Sequence, residues 1–327
     1  MDGPRSPEPG RALSELLRLW REMYPAGSCS LRIRRGRHAG TGGEIPLPEG
    51  RGSQGISIAL GGGGVRGFAH LGLLKVLREE GIPVEAIAGT SAGALAACVF
   101  AFGLPLRPEP VLEALSDLGH LLARGGALTR WRRFLTISRR LALVDGEVLV
   151  IALLSLFGER RLEESDIPVA VVAADLCSGE VVALREGPVA RAVAYSCAIP
   201  GIFPPFEHEG RLLVDGAVVE KVPVSVARSL GGGAAVVGVD VSNPAPPAAA
   251  PRTGIEAAVM AGDASRRRLT EISLEDADLS IRLPFERRVE RFELEEAQRL
   301  YRLGTEVGEK ALPRIRALAA NGVRTGR

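Results

Sequence analysis

Histidine and cysteine are both scarce in this chain, with four of each among 327 residues. The cysteines, Cys29, Cys98, Cys177 and Cys197, form no CxxC pair and keep no regular spacing. The histidines, His38, His70, His120 and His208, form neither HxxxH nor HExxH. A zinc centre needs such ligands at close spacing, so no metal site is expected. A strong net charge is also missing. The formal balance is +2, and no global field points to nucleic acid as a partner. The opening MDGPRSPEPGR lacks the short apolar core of a secretory signal. A reducing, cytoplasmic setting with free thiols is the expectation. One stretch, Ala86–Leu106, is uncharged over about the length of a membrane-spanning helix. It is poor in Leu and Ile and broken by Gly and Pro, so a buried strand, turn and helix account for it better.

What is present is apolar material, 46% of the residues, enough for one large or two medium domains with a core. Residues 1–54 read as an extension rich in Gly, Pro and Arg. Within it, Leu13, Leu16, Leu17, Trp20 and Tyr24 recur at helical spacing. That helix either docks on the core or lies on a membrane surface. From Ile56 the rhythm becomes strand (ISIAL), glycine loop, helix (Phe68–Glu80), strand (VEAIAG), turn at Ser91, helix (ALAACVFAF). This is the pattern of a parallel sheet covered by helices. Further on come a helix toward Phe157, a hairpin turning at Cys177–Gly179, and a helix at Val189–Ala198. RLLV and AAVVGVDVS follow as core strands, then helices including Leu294–Ala319, interrupted at Pro313. The expectation is one α/β domain over residues 55–320 and a short tail at 321–327.

The segment LGGGGVRG contains Gly62-x-Gly64-x-x-Gly67 between a strand and a helix, which formally fits a dinucleotide loop. However, the second strand ends in AIAG, without the acidic residue that would hold a ribose, and no Gly-Lys-Ser/Thr follows. What ends the second strand is Gly89-Thr90-Ser91-Ala92-Gly93, a G-x-S-x-G nucleophile elbow. Successive parallel strands put their C-terminal loops on one sheet edge, so the glycine loop and Ser91 should be neighbours. Backbone N–H groups of Gly62–Gly64 would then face the oxyanion that Ser91 creates on an acyl carbonyl.

The serine needs a base. His70 begins the helix after the glycine loop. His208 sits in FEHEG, and Ser91, Asp175 and His208 together would give a triad order. About 25 residues between the glycine loop and Ser91 leave less room than the α/β-hydrolase fold uses. The other candidate is Asp215, at the end of RLLV with Gly216 and Ala217 after it. An ordinary aspartate is a weak base, with a pKa near ~3.9, so this role requires burial or a short bond to Ser91. Asp145-Gly146 reads as a helix N-cap instead.

In this order, GGGGVRG, GTSAG and DGA resemble the three signatures of patatin-like phospholipases, nearest to the bacterial branch related to neuropathy target esterase. AADLCSGE and SCAIPGIFPPFEHEGRLLVDGAVVEKVPV are similar as well, and the likeness runs over about Ile56–Ser242. The resemblance implies a three-layer α/β/α core with a mainly parallel sheet and C-terminal helices. It also implies a Ser91 nucleophile, an Asp215 proton acceptor, and an oxyanion hole at Gly62, Gly63, Gly64, Arg66 and Gly67. The implied activity is hydrolysis of lipid esters without a cofactor, and the alternative is a lipid-binding regulatory module on the same fold. One departure is Glu220-Lys221, where relatives often carry asparagine or a small residue, and it bears on substrate preference. The residues from Leu118 to Val144 hold six arginines (124, 130, 132, 133, 139 and 140) and no acid. Interleaved with Trp131, Phe134 and Ile137, they could dock on the anionic inner face of a membrane, or form a solvated lid beside the cleft.

Overall fold

The structure, a computed structural model, describes residues 55–123, 145–243 and 250–321. The expected amphipathic helix at 13–24 and the arginine cluster at 124–140 lie outside the described residues. Among the described residues, eight strands form a single sheet. They are β1 (Ile56–Leu60), β2 (Val84–Thr90), β3 (Val169–Asp175), β4 (Val181–Leu184), β5 (Phe206–His208), β6 (Arg211–Asp215), β7 (Ala235–Asp240) and β8 (Leu279–Arg282). Their order is β5-β6-β3-β2-β1-β7-β8, with β4 also paired to β3. β1, β2, β3, β7 and β8 pair in parallel, whereas β4, β5 and β6 are antiparallel additions around β3. The mixed, mostly parallel sheet with helices on both faces is the three-layer arrangement expected from the sequence.

Strand periodicity divides the core. Ile56, Ile58 and Leu60 face one layer with Val169, Val171, Val237 and Val239. That layer is built from the helices Phe68–Glu79, Ala92–Ala101, Gly146–Phe157, Val189–Ser196 and Ala297–Asn321. Ala59, Ala88, Ala170 and Val172 face the thinner opposite layer, where the helix Val224–Leu230 and Leu274 cover them. A side chain's place in the pleat decides its layer, and small residues on the second face let one short helix sit close. The uncharged stretch Ala86–Leu106 resolves into the end of β2, the turn at Ser91 and the helix Ala92–Ala101. Among the described residues, no helix is long and apolar enough to cross a membrane.

Two local expectations turn out differently. The strand before Asp215 runs antiparallel to β3 and includes Asp215 itself. The last helix, Ala297–Asn321, passes through Pro313 without a break. Pro313 is exposed, while Ala311, Ile315 and Ala319 are buried on the inner face. Packing of that face outweighs the local cost of proline, about 3 kcal/mol.

The same helix lies against Phe68–Glu79 at backbone contact distance. A Cβ at Gly304 would stand 1.9 Å from the Ala69 carbonyl oxygen, and one at Gly72 would stand 2.1 Å from that of Tyr301. Gly304→Val should therefore force the helices apart and cost about 3 kcal/mol, read as a lower midpoint in urea unfolding.

Candidate active site

Strand β3 brings the site together through its register. One edge of β3 pairs with β4 through Val171–Ala174. The opposite edge is shared. β2 takes its first half, with Thr90 opposite Val172, and β6 takes its second half, with Asp215 opposite Ala173. β2 runs parallel to β3 and β6 antiparallel, so their C-terminal ends meet head to head. Ser91 follows the last residue of one strand, and Asp215 is the last residue of the other. Ser91 Oγ donates to Asp215 Oδ2 at 2.8 Å, and both residues are 6% exposed.

The elbow holds Ser91 in a strained conformation, with φ 56 and ψ −123, a region that costs about 1–3 kcal/mol for a non-glycine residue. A Cβ at Gly93 would lie 2.2 Å from the Leu60 carbonyl oxygen, so only glycine permits the helix to leave the turn this close to β1. The Ser91 amide donates to Ser196 Oγ at 2.7 Å, and Ser196 Oγ donates to the Val172 carbonyl at 2.5 Å. Ser196 thus bridges the elbow to β3. Thr90 Oγ1 donates to the Glu220 carbonyl at 3.0 Å, joining the elbow to the segment after Asp215. The Ala217 amide donates to Asp215 Oδ1 at 2.8 Å, which sets the carboxylate plane and leaves Oδ2 for Ser91. Burial raises the Asp215 pKa, and the bonds from Ala217 and Ser91 and the charges of Arg291 and Arg266 partly oppose the rise.

The glycine loop lies beside Ser91, as the parallel pairing of β1 and β2 requires. A Cβ at Gly62 would stand 3.2 Å from the Cβ of Ser91 and 3.3 Å from that of Ala217. The Gly62 amide donates to the Lys221 carbonyl at 3.0 Å and the Val65 amide to the Arg291 carbonyl at 2.9 Å. Among the described residues, the amides of Gly63 and Gly64 have no such carbonyl partner. Arg66 is buried, with Nε donating to the Val241 carbonyl at 2.8 Å and Nη1 to that of Val289 at 2.5 Å. It ties the loop to the segments after β7 and β8, and burial lowers its pKa to about 10. Gly67 seats its turn on Ala92, whose Cβ would be 2.5 Å from an added Cβ. Gly89 and Gly216 likewise face backbone, the carbonyl oxygens of Gly93 and Val172, at 2.3 Å each.

The histidines go elsewhere. His70 Nε2 donates to the Gly61 carbonyl at 2.8 Å, and burial lowers its pKa to about 4, so the ring is neutral. It pins the glycine loop. His208 lies on the β5–β6 hairpin with its ring 5.3 Å from that of Tyr195. Asp175 uses its carboxylate within the β3–β4 turn, accepting from the Cys177 amide and Ser178 Oγ at 3.0 Å each. No hydrogen bond joins Asp175 to His208 or His208 to Ser91 among the described residues. His38 and the side chain of His120 lie outside them. Asp145 caps the helix Gly146–Phe157 as expected, accepting from the Glu147 amide at 3.1 Å.

Next to the dyad is a cavity of about 310 Å³. Gly64, Gly67, Ala92 and Cys197 line its near end, Leu71, Leu95, Val111, Leu149 and Leu153 continue the lining, and Arg291 is the one charged residue in its wall among the described residues. No group of residues able to hold a metal ion occurs among the described residues. Ser196 and Arg291 escape a sequence reading. A serine at the end of a short helix and an arginine in an arginine-rich loop carry no local pattern.

Two outcomes follow. Ser196→Ala orphans the Ser91 amide and the Val172 carbonyl, and should cost about 1–3 kcal/mol in denaturant unfolding. It should also lower turnover of a short acyl ester roughly tenfold or more by misplacing the elbow. For Asp215, a pKa raised on folding means that its stabilising contribution is complete below the unfolded value and is lost as pH rises through the folded one. Asp215→Asn should therefore raise the melting temperature at mildly alkaline pH, with the gain shrinking below the ordinary carboxylate range.

A family model described as patatin-like phospholipase matches residues 58–228. An uncharacterised NTE family protein of Mycobacterium tuberculosis is 33% identical over 180 residues, covering 52% of this chain and 44% of the relative. A patatin-like phospholipase domain-containing protein of Caenorhabditis elegans is 34% identical over 179 residues, covering 54% of this chain and 13% of its own length. Lysophospholipase NTE1 of Mycosarcoma maydis is 30% identical over 188 residues, covering 58% of this chain and 10% of its own length. The chain thus spans less than half of each of these relatives. The matched region of the family model takes in the glycine loop, the elbow and the Asp215 turn, more than half of the sequence, and the chain belongs to the patatin-like phospholipase family.

Proposed function

We propose that this protein is a serine acyl hydrolase acting on lipid carboxylic esters, a phospholipase or lysophospholipase, through a Ser91–Asp215 dyad. The observation that carries this reading is the 2.8 Å bond from Ser91 Oγ to a buried Asp215 whose second oxygen is already held. Burial supplies the basicity that a solvated aspartate lacks. Ser91 Oγ attacks the acyl carbonyl as Asp215 takes its proton. The resulting oxyanion accepts from the amides of Gly63 and Gly64, donors worth about 3–4 kcal/mol each in comparable sites. Gly62 contributes room at Ser91 while its own amide holds Lys221, and Arg66 and Gly67 hold the loop in shape. Asp215 returns the proton to the leaving alkoxide, which departs as the alcohol. A water then gives its proton to Asp215 and attacks the acyl-enzyme, and Asp215 passes that proton to Ser91 Oγ as the fatty acid leaves. The apolar cavity beside Ala92 suits an acyl chain.

Ser91→Ala and Asp215→Asn should each lower kcat on short acyl esters and lysolipids by at least about a thousandfold. His208→Ala should leave activity near wild type, and a comparable loss there would restore the triad. Activity should rise with pH through the pKa of Asp215, since the protonated acid cannot accept from Ser91. A fluorophosphonate probe should label Ser91. Folded protein that resists the probe would point to the non-catalytic lipid-binding module.

A further inference from the structure

Cations gather around the glycine loop. Lys221 follows the Asp215 turn, and its carbonyl accepts from the Gly62 amide. Its Nζ donates to Ser242 Oγ at 2.6 Å, and Ser242 Oγ in turn donates to Asp240 at 2.5 Å. Arg266, on the helix Gly254–Glu275, pairs with Asp263 at 2.5 Å, and Arg291 reaches the same carboxylate oxygen at 3.5 Å. Arg291 also lines the apolar cavity, and its backbone packs on Gly64. Arg288 and Glu290 pair with each other at 2.9 Å. Arg266 and Arg291 thus divide the Asp263 carboxylate, and Lys221 reaches Asp240 through Ser242. Arg66 is consumed by its two carbonyl bonds. Lys221 and Arg266 are partly buried, Arg291 is exposed, and the two arginines have one carboxylate oxygen between them. Their fields reach one another: Arg291 and Arg266 help burial hold the Lys221 ammonium at about 8, and both lower the Asp215 pKa.

We propose that Lys221, Arg266 and Arg291 form an anion subsite that holds the phosphate head of a monoacyl lipid ester whose chain fills the apolar cavity. The proposal rests on the hydrolase reading, and names its substrate class. Guanidinium groups suit a multi-oxygen anion because they can donate in parallel. Arg291, at the cavity wall and on the cation cluster together, links the chain end of the substrate to its head.

The test is equilibrium binding to Ser91→Ala protein of two lipids with the same acyl chain, a monoacylglycerol phosphate and the uncharged monoacylglycerol. The phosphate lipid should bind at least about tenfold tighter, and Arg266→Gln or Arg291→Gln should each remove most of that ratio, with Arg291→Lys retaining part of it. Arg266 lies on a largely exposed helix, so its variant reads the subsite even if Arg291→Gln fails to fold. Equal binding of the two lipids, or a ratio unchanged in both glutamine variants, would overturn the proposal. Inorganic phosphate alone should bind far more weakly than the lipid. Equally tight binding would assign the cluster to a free anion and overturn the lipid-head assignment. If wild-type protein hydrolyses neither lipid yet the phosphate selectivity and its loss in the variants persist, the hydrolase reading fails and the subsite stands.

Discussion

The site depends on one edge of one strand. β3 has only two edges, and β4 occupies the upper part of one of them. On the other, parallel β2 and antiparallel β6 end against neighbouring residues, Val172 and Ala173. A strand that ends there must turn away from the sheet, and both do so with small residues. The elbow leaves through Gly93, and the chain after Asp215 leaves through Gly216, which lies on the Val172 carbonyl. Ser196 reaches the same carbonyl and fastens the Ser91 amide to it. Backbone hydrogen bonding in a ladder is geometrically demanding, so the separation of Ser91 and Asp215 is set by sheet register more than by side-chain choice.

That placement has an electrostatic cost which the surroundings partly offset. A carboxylate buried at a strand end would rather be neutral, and the amide of Ala217, the Ser91 hydroxyl and two distant guanidinium groups pull it back toward ionisation. The result is a carboxylate that holds a proton more readily than a solvated aspartate and still has one oxygen oriented for a single partner. The strained φ of Ser91 is the backbone counterpart. Both features lower stability and are retained where chemistry would use them, a trade seen wherever a site must be held in a conformation the chain does not prefer. The neutral His70 beneath the glycine loop does the opposite work. It accepts complete burial, leaving its Nδ1 without a partner, to hold the Gly61 carbonyl.

Much of the fold was legible because strand and helix periodicities differ. ISIAL, VEAIAG and the helices after them could be read in order, and the turn at Cys177–Gly179 and the cap at Asp145 carry local chemistry that does not need the rest of the chain. The exceptions have a common cause. Pro313 should break a helix by local rules, but its neighbours Ala311, Ile315 and Ala319 bury a face against another helix, and that packing is invisible to local propensity. The direction of β6 was equally unreadable, since an apolar run of four or five residues carries no sign of its polarity in a sheet. Arg66 was legible as a charge beside the loop, but its two carbonyl partners lie 175 and 223 residues further along the chain.

By itself the sequence determined which residues could do chemistry. Five glycines and an arginine before a helix, a serine between two glycines, and an aspartate followed by Gly-Ala are local requirements of close backbone approach, and they can be read residue by residue. It also determined what was missing, since four histidines without metal spacing leave few other bases. Only the tertiary structure decided which side chain the serine meets. Ser91 and Asp215 are 124 residues apart, and their contact follows from two strands of opposite direction ending on a third. Only the structure decided, too, which glycine amides hold other segments and which, among the described residues, have no carbonyl partner. Hydrogen-bond partners far apart in sequence are chosen by register and packing, and no short stretch of residues contains that information.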